Sequence, residues 1–310
     1  MNLRRGKRLS EYPSPGKRVV LAMAWAVMLC VSILPNALLH ELAGGSPAWL
    51  VWVKIGLLAV CAGIAFFWMP LRPLRNYFLI LLAIFAGEEG ISRLTASATW
   101  QGWFGGPGAP FARSMLGTQL GRLIVALWMI GVLLALGYRR KDFFLARGRL
   151  DAPIEPVRWL GFPTPVPWTR FGGQFSIYIG LGLLVFLVVF GRPSWPSFVQ
   201  AAPLLPAVLL LAAMNAFNEE MTYRASLLAG LERVVGPRQA LWNTALFFGI
   251  GHYFGVPYGV TGVVMSTFLG WILGKAMLET RGLFWAWFIH FIQDVLIFSF
   301  MAAGSITAGG

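Results

Sequence analysis

The chain has only three histidines in 310 residues, and two of them follow an acidic cluster at short intervals. The cluster is Asn215-Ala-Phe-Asn-Glu219-Glu220-Met-Thr-Tyr-Arg224. On a helix Glu220 and Arg224 share a face, as an ion pair requires, while Glu219 points about 100° away toward another neighbour. One glutamate can be held by the arginine while the other stays available as a base. His252 closes Phe248-Gly-Ile-Gly-His252, with Phe248 one turn earlier on the same face and glycines that let a helix or ligand come close. His290 stands in Trp287-Phe-Ile-His290-Phe-Ile-Gln-Asp294, where His290 and Asp294 again share a face. Glutamate with histidine can activate water, directly or by holding a metal whose bound water has a lowered pKa. A second histidine with a hydrogen-bonding neighbour can stabilise the oxyanion formed at a peptide carbonyl.

These groups must be positioned by elements that lie in a membrane. Hydrophobic residues make up 57% of the chain and charged ones 12%, about half the charged share of a soluble domain. No single soluble core could hide that much apolar surface, whereas a lipid-facing bundle has no need to. Fourteen Trp and 24 Phe suit many crossings with interfacial anchors. Apolar runs fall at 19–39, 47–69, 76–92, 116–137, 173–191, 198–218, 239–254, 258–278 and 283–303, so an all-α transmembrane bundle of eight or nine spans is expected, nine being favoured. The seventh run, short and glycine-containing, is expected to tilt or sit inside the bundle.

The net charge of +13 lies outside the apolar runs, which points to topology and anionic lipid rather than nucleic acid. Arg4, Arg5, Lys7, Arg8, Lys17 and Arg18 precede a first run too long for a signal peptide's apolar region, so a retained span with a cytoplasmic N-terminus is expected. A multi-pass protein of the inner or plasma membrane follows. The lysines and arginines cluster on one side of a nine-span scheme, which also places Glu219 and Glu220 nearer the cytoplasmic face. Residues 139–172, rich in Pro and Arg, read as a connector between an N-terminal bundle over 1–138 and a C-terminal bundle over 173–310. Cys30 and Cys61 read as core thiols. Lys54 is expected to snorkel or to pair within the bundle, and His40-Glu41 to be solvated at the outer end. Glu88-Glu89-Gly-Ile-Ser-Arg93 repeats the EExxxR spacing, but no histidine motif follows it; it reads as an interfacial cluster on the opposite face, with a partner-binding role as the alternative.

The set Glu219-Glu220-xxx-Arg224, Phe248-xxx-His252 and His290-xxx-Asp294 resembles the three signature motifs of the CAAX protease and bacteriocin-processing (CPBP, or Abi) intramembrane proteases. Gly270-Trp-Ile-Leu-Gly-Lys275 and Thr280-Arg-Gly-Leu-Phe-Trp285 between them are also similar, and the resemblance covers about 198–303. It implies an all-helical endopeptidase in which Glu219 and His252 activate water, His290 and Asp294 serve the oxyanion, and Glu220 with Arg224 forms the supporting pair. It leaves open a divalent metal such as zinc, with Glu219, His252 and His290 as the ligand set. Two departures stand out: Ala225 replaces the usual glycine, and Asp294 the usual Asn. An ionised Asp cannot donate a hydrogen bond, so Asp294 would be protonated, orient His290 or bind a metal. The implied partners are a peptide or membrane-protein substrate and the bilayer. Two other functions compete: a non-catalytic scaffold that binds a peptide, and a proton-coupled transporter, for which no inverted repeat is visible.

Overall fold

The apolar runs all become helix. The structure, a computed structural model, describes residues 14–106, 108–192 and 194–308, so Arg4, Arg5, Lys7 and Arg8 lie outside the described residues. Among the described residues the fold is all-α without strands, and only two isolated bridges, Pro153 with Pro167 and Val157 with Phe162, fall in the connector.

Helix α1 (Ser14–Val31) and α2 (Leu34–Ala43) meet at 47°. Pro35, in the first turn of α2, has no N–H to carry the hydrogen-bond ladder across the break. Lys54, on α3 (Leu50–Phe67), donates to the Ser32 carbonyl freed there at 2.6 Å and to the Asn36 side chain. The expectation of a lysine paired within the bundle is thus met, and its desolvation is offset by two acceptors. After a 3₁₀ turn at Met69–Leu74 come α4 (Arg75–Thr95), the short α5 (Ala98–Phe104) and α6 (Phe111–Ala135).

Past the connector, α7 (Trp168–Gly191) precedes one 41-residue helical path, Trp195–Val235. The path contains α8 (Trp195–Ala201), a 3₁₀ turn, α9 (Leu205–Glu219), a π-helical segment (Glu220–Ala225) and α10 (Ser226–Val235). Here the structure corrects the expected boundary: the chain does not leave the bundle after residue 218. Glu220 and Arg224 pair inside it, and Met221, Leu227, Leu228 and Leu231 are buried, so the helix has reason to continue. Helices α11 (Pro237–Gly251), α12 (Val260–Thr280) and α13 (Phe284–Ala308) complete the chain.

Among the described residues six helices are long and apolar enough to cross a membrane, or seven if the bent α1–α2 pair is one span. Of the nine expected runs, the two that fall short have physical reasons. Helix α11 has only 15 residues, and α4 carries Arg75, Glu88, Glu89 and Arg93. A continuous buried core runs from Val20 and Met28 of α1 through Tyr77 and Phe78 of α4 and Met129 of α6 to Leu228 of α10 and Ile289 of α13.

The connector is ordered and pins the start of α13. Arg149 N–H donates to the Thr280 carbonyl at 2.8 Å, Leu283 N–H to that of Ala146 at 2.8 Å, and the Trp285 indole to that of Leu150 at 2.9 Å. Gly148, at φ +77°, lies so close to Gly282 that an added Cβ would meet its Cα at 2.7 Å. Glu279 receives Glu155 N–H and the Trp168 indole, both at 2.8 Å, and pairs with Lys275 at 2.5 Å.

Candidate active site

The three motifs converge. Glu220 and Arg224 are fully buried and ion-paired across one turn of the π-helical segment. Such wider turns are uncommon within helices and often mark functional sites. Arg224 lies over the Phe248 ring, its Cζ 4.4 Å from the centroid, and among the described residues its Nε and Nη2 have no hydrogen-bond partner. Phe248 is the hub of the site: its ring also packs against His252 at 4.4 Å and edge-on against His290 at 6.2 Å. The phenylalanine of the second motif thereby joins residues of the other two.

His290, six residues into α13, meets Glu220 Oε1 through Nδ1 at 2.8 Å. That carboxylate fixes a proton on Nδ1, since an ionised carboxylate only accepts. Nε2 faces Glu219 Oε2 at 3.7 Å and Asp294 Oδ2 at 3.6 Å, distances beyond a direct hydrogen bond and suited to a bridging water or a reacting oxygen. Asp294 Oδ2 accepts from the Asn215 amide at 3.0 Å. His252 stands just past the end of α11, and its Nδ1 lies 2.8 Å from the Phe248 carbonyl.

Glu219 and His252 line one cavity of ≈ 640 Å³ whose remaining walls are mainly apolar, including Ile84, Phe85, Phe247 and Phe254. Its lining comes from the α1–α2 break, the start of α3, the second half of α4, the turn after α11, and Arg122, Glu219 and Tyr223 from the middle of the bundle.

Several residues of the site carry no local signal. Arg122 of α6 donates through Nη1 to Glu219 Oε1 and to Asn215 Oδ1, both at 2.5 Å, and Gln119 donates to Asn215 Oδ1 at 3.1 Å. The second EExxxR segment is not a remote cluster either. Glu88 and Glu89 line the same cavity as Glu219, and Glu88 accepts the Tyr223 hydroxyl. Glu89 pairs with Arg93 across one helical turn at 2.7 Å. Of His40-Glu41, Glu41 accepts Tyr253 O–H at 2.9 Å and Tyr258 O–H, and His40 meets the Phe254 ring edge-on at 5.4 Å, so this pair braces the turn that carries His252.

The ligand set Glu219, His252 and His290 does not form a metal shell. Among the described residues no three His, Cys, Asp or Glu side chains are arranged to hold an ion. Nδ1 of His252 is engaged by a backbone carbonyl, which leaves Nε2 as its free nitrogen, and Nε2 of His290 lies 3.7 Å from Glu219 and 3.6 Å from Asp294.

Comparison with known proteins yields one likeness. Residues 201–296 match the family model described as type II CAAX prenyl endopeptidase Rce1-like. No curated protein and no solved structure matches the chain.

Proposed function

We propose, on the premise that residues 201–296 are an Rce1-like type II CAAX prenyl endopeptidase domain, that the chain is an intramembrane endopeptidase using a water activated by Glu219 and His252. The observation that carries this reading is that both side chains line one cavity while His290 Nε2 lies 3.7 Å from Glu219 Oε2. Arg122 occupies Oε1 of Glu219 and leaves Oε2 for chemistry. Glu219 takes a proton from the water, and the water oxygen adds to the peptide carbonyl carbon. The oxyanion is met by an N–H of His290, held from one side by Glu220 and faced on the other by Asp294. The proton on Glu219 then passes to the leaving nitrogen as the C–N bond breaks, giving a carboxylic acid and an amine, and transfer of the acid's proton to the amine leaves a carboxylate and an ammonium. Asp294 here orients His290 and is itself oriented by Asn215, which answers the absence of the usual Asn.

The substrate class that fits is a peptide anchored in the bilayer by apolar or prenyl groups. In this reading α4 and α11 are also crossings, so nine spans alternate, with the N-terminus on the arginine-rich, cytoplasmic side. The test is cleavage of a farnesylated peptide ending in a CAAX sequence by purified protein in detergent. Glu219→Gln and His252→Ala are each expected to abolish product. Full activity in either variant would remove the assignment.

A further inference from the structure

A second cavity adjoins the first and nothing above assigns it. It has a volume of ≈ 380 Å³ and lies between the second half of α4, α5 and the first half of α6. Its walls differ in chemistry from those of the apolar cavity: they present Thr95, Gln101, Ser114 and Thr118. Glu88, Ser92 and Arg122 line both spaces, so the two meet at Arg122, the side chain that holds Glu219.

The cleft is built rather than incidental. Arg113 clamps α5 by donating to the Trp103 carbonyl at 2.7 Å and the Gly102 carbonyl at 2.8 Å. Gln101 donates to the Thr95 carbonyl at 2.7 Å. Gly117 and Gly121 set the closeness of the walls: an added Cβ would meet Phe104 at 2.6 Å and Ile91 at 3.2 Å.

Along the apolar stretches of the first cavity, such as Ile84, Phe85, Phe247 and Phe254, a peptide's backbone N–H and C=O groups find no partner, and each one left unpaired costs free energy. A chain passing Arg122 into the second cleft would find hydroxyl and amide partners. Arg122 bonds through Nη1 alone, and its side chain is 45% exposed, so further guanidinium donors remain for a substrate carbonyl. We propose that the α4–α5–α6 cleft binds the hydrophilic, extended flank of the substrate while the apolar cavity takes the membrane-anchored part, the scissile bond lying between them at Glu219. This rests on the endopeptidase reading.

The experiment uses binding, so that it does not depend on turnover. Two dye-labelled farnesylated peptides are compared, identical except that one continues into a Ser/Gly/Asn-rich flank. Their affinities for the Glu219→Gln protein are measured by fluorescence anisotropy. The flanked peptide is expected to bind about tenfold more tightly. In a Cys30→Ser, Glu219→Gln background, Thr118→Cys is labelled after folding with a bulky maleimide, and the same preparation is measured before and after. Blocking is expected to bring the two affinities within about twofold of each other. Equal affinities before blocking, or an advantage that survives it, would overturn the proposal. Absence of cleavage by the wild type would instead count against the endopeptidase reading and leaves this result readable.

Discussion

Glu219 and Glu220 are neighbours in the chain, and their surroundings give them different work. Glu220 is fully buried with Arg224, whose guanidinium also covers Phe248. Removing the arginine leaves the Glu220 carboxylate buried away from water with only His290 beside it. Arg224→Ala is therefore expected to lower stability by about 3–5 kcal/mol, read as the denaturation midpoint in detergent. Arg224→Lys should recover little, because an ammonium lacks the planar face that stacks on the ring. Glu219→Gln should do the reverse: activity falls by about 10²–10⁴-fold while stability changes by less than about 1 kcal/mol. Equal losses of stability in Glu219→Gln and Arg224→Ala would show that the two glutamates share one structural role. The division between them was legible in the sequence because it is local, written in an i,i+4 pair and a neighbour rotated off its face. Arg122 was not legible. It reaches Glu219 across 97 positions, and no periodicity encodes that contact. Glu88 misled for the same reason: no histidine follows it in chain order, yet folding sets it beside Tyr223, 135 positions away, in the cavity of His252.

At the scale of elements, the glycines of the second motif announced a close approach, and α12 is what approaches. A Cβ on Gly249 would lie 1.9 Å from Thr267 Oγ1, 2.7 Å from the Val263 carbonyl oxygen and 2.8 Å from Thr267 N–H. Gly249→Ala is expected to force α11 from α12, costing about 1–3 kcal/mol and displacing His252. Thr267→Ala should not rescue it, since two of the three clashes are with backbone; full recovery of activity in the double variant would place the close contact elsewhere. The turn beyond α11 offers a pH test. The hydrogen bond to Glu41 pushes the Tyr258 hydroxyl up to about 12. A raised value means that this contact stabilises the fold fully below the ordinary tyrosine value of about 10 and is lost as pH rises through about 12. Ultraviolet titration of wild type minus Tyr258→Phe should show no tyrosinate step near pH 10, and Glu41→Gln should bring that step back. What the sequence did not announce at this scale is the π-helical segment. Its residues are those of an ordinary helix, and only packing on both sides of Glu220 and Arg224 shows that the helix runs on to Val235.

Across the whole molecule, the motifs occupy the last third of the chain, which suggests a self-contained catalytic half. The packing argues otherwise. The buried core is continuous from Val20 to Ile289, and Tyr77 of α4 donates to buried Asn243 of α11 at 2.9 Å. Arg122 and Glu88 reach the site from the first half, and one wall of the apolar cavity is Ile33, Val51, Ile84 and Phe85. Residues 139–310 expressed alone would expose that wall and leave Glu219 without its guanidinium. They are expected to yield aggregated or inactive protein. Coexpression with residues 1–138 should restore both solubility in mild detergent and cleavage, because the cut falls just beyond α6, in the connector, and severs no helix. Arg122→Gln in the first fragment should weaken the restored activity by about 10–100-fold, the loss of one charge-assisted hydrogen bond to the Glu219 carboxylate, while leaving the two fragments associated. Retained wild-type activity in the isolated 139–310 fragment would show that the N-terminal helices only shield the site from lipid; loss of association with Arg122→Gln would make that arginine a structural clasp instead.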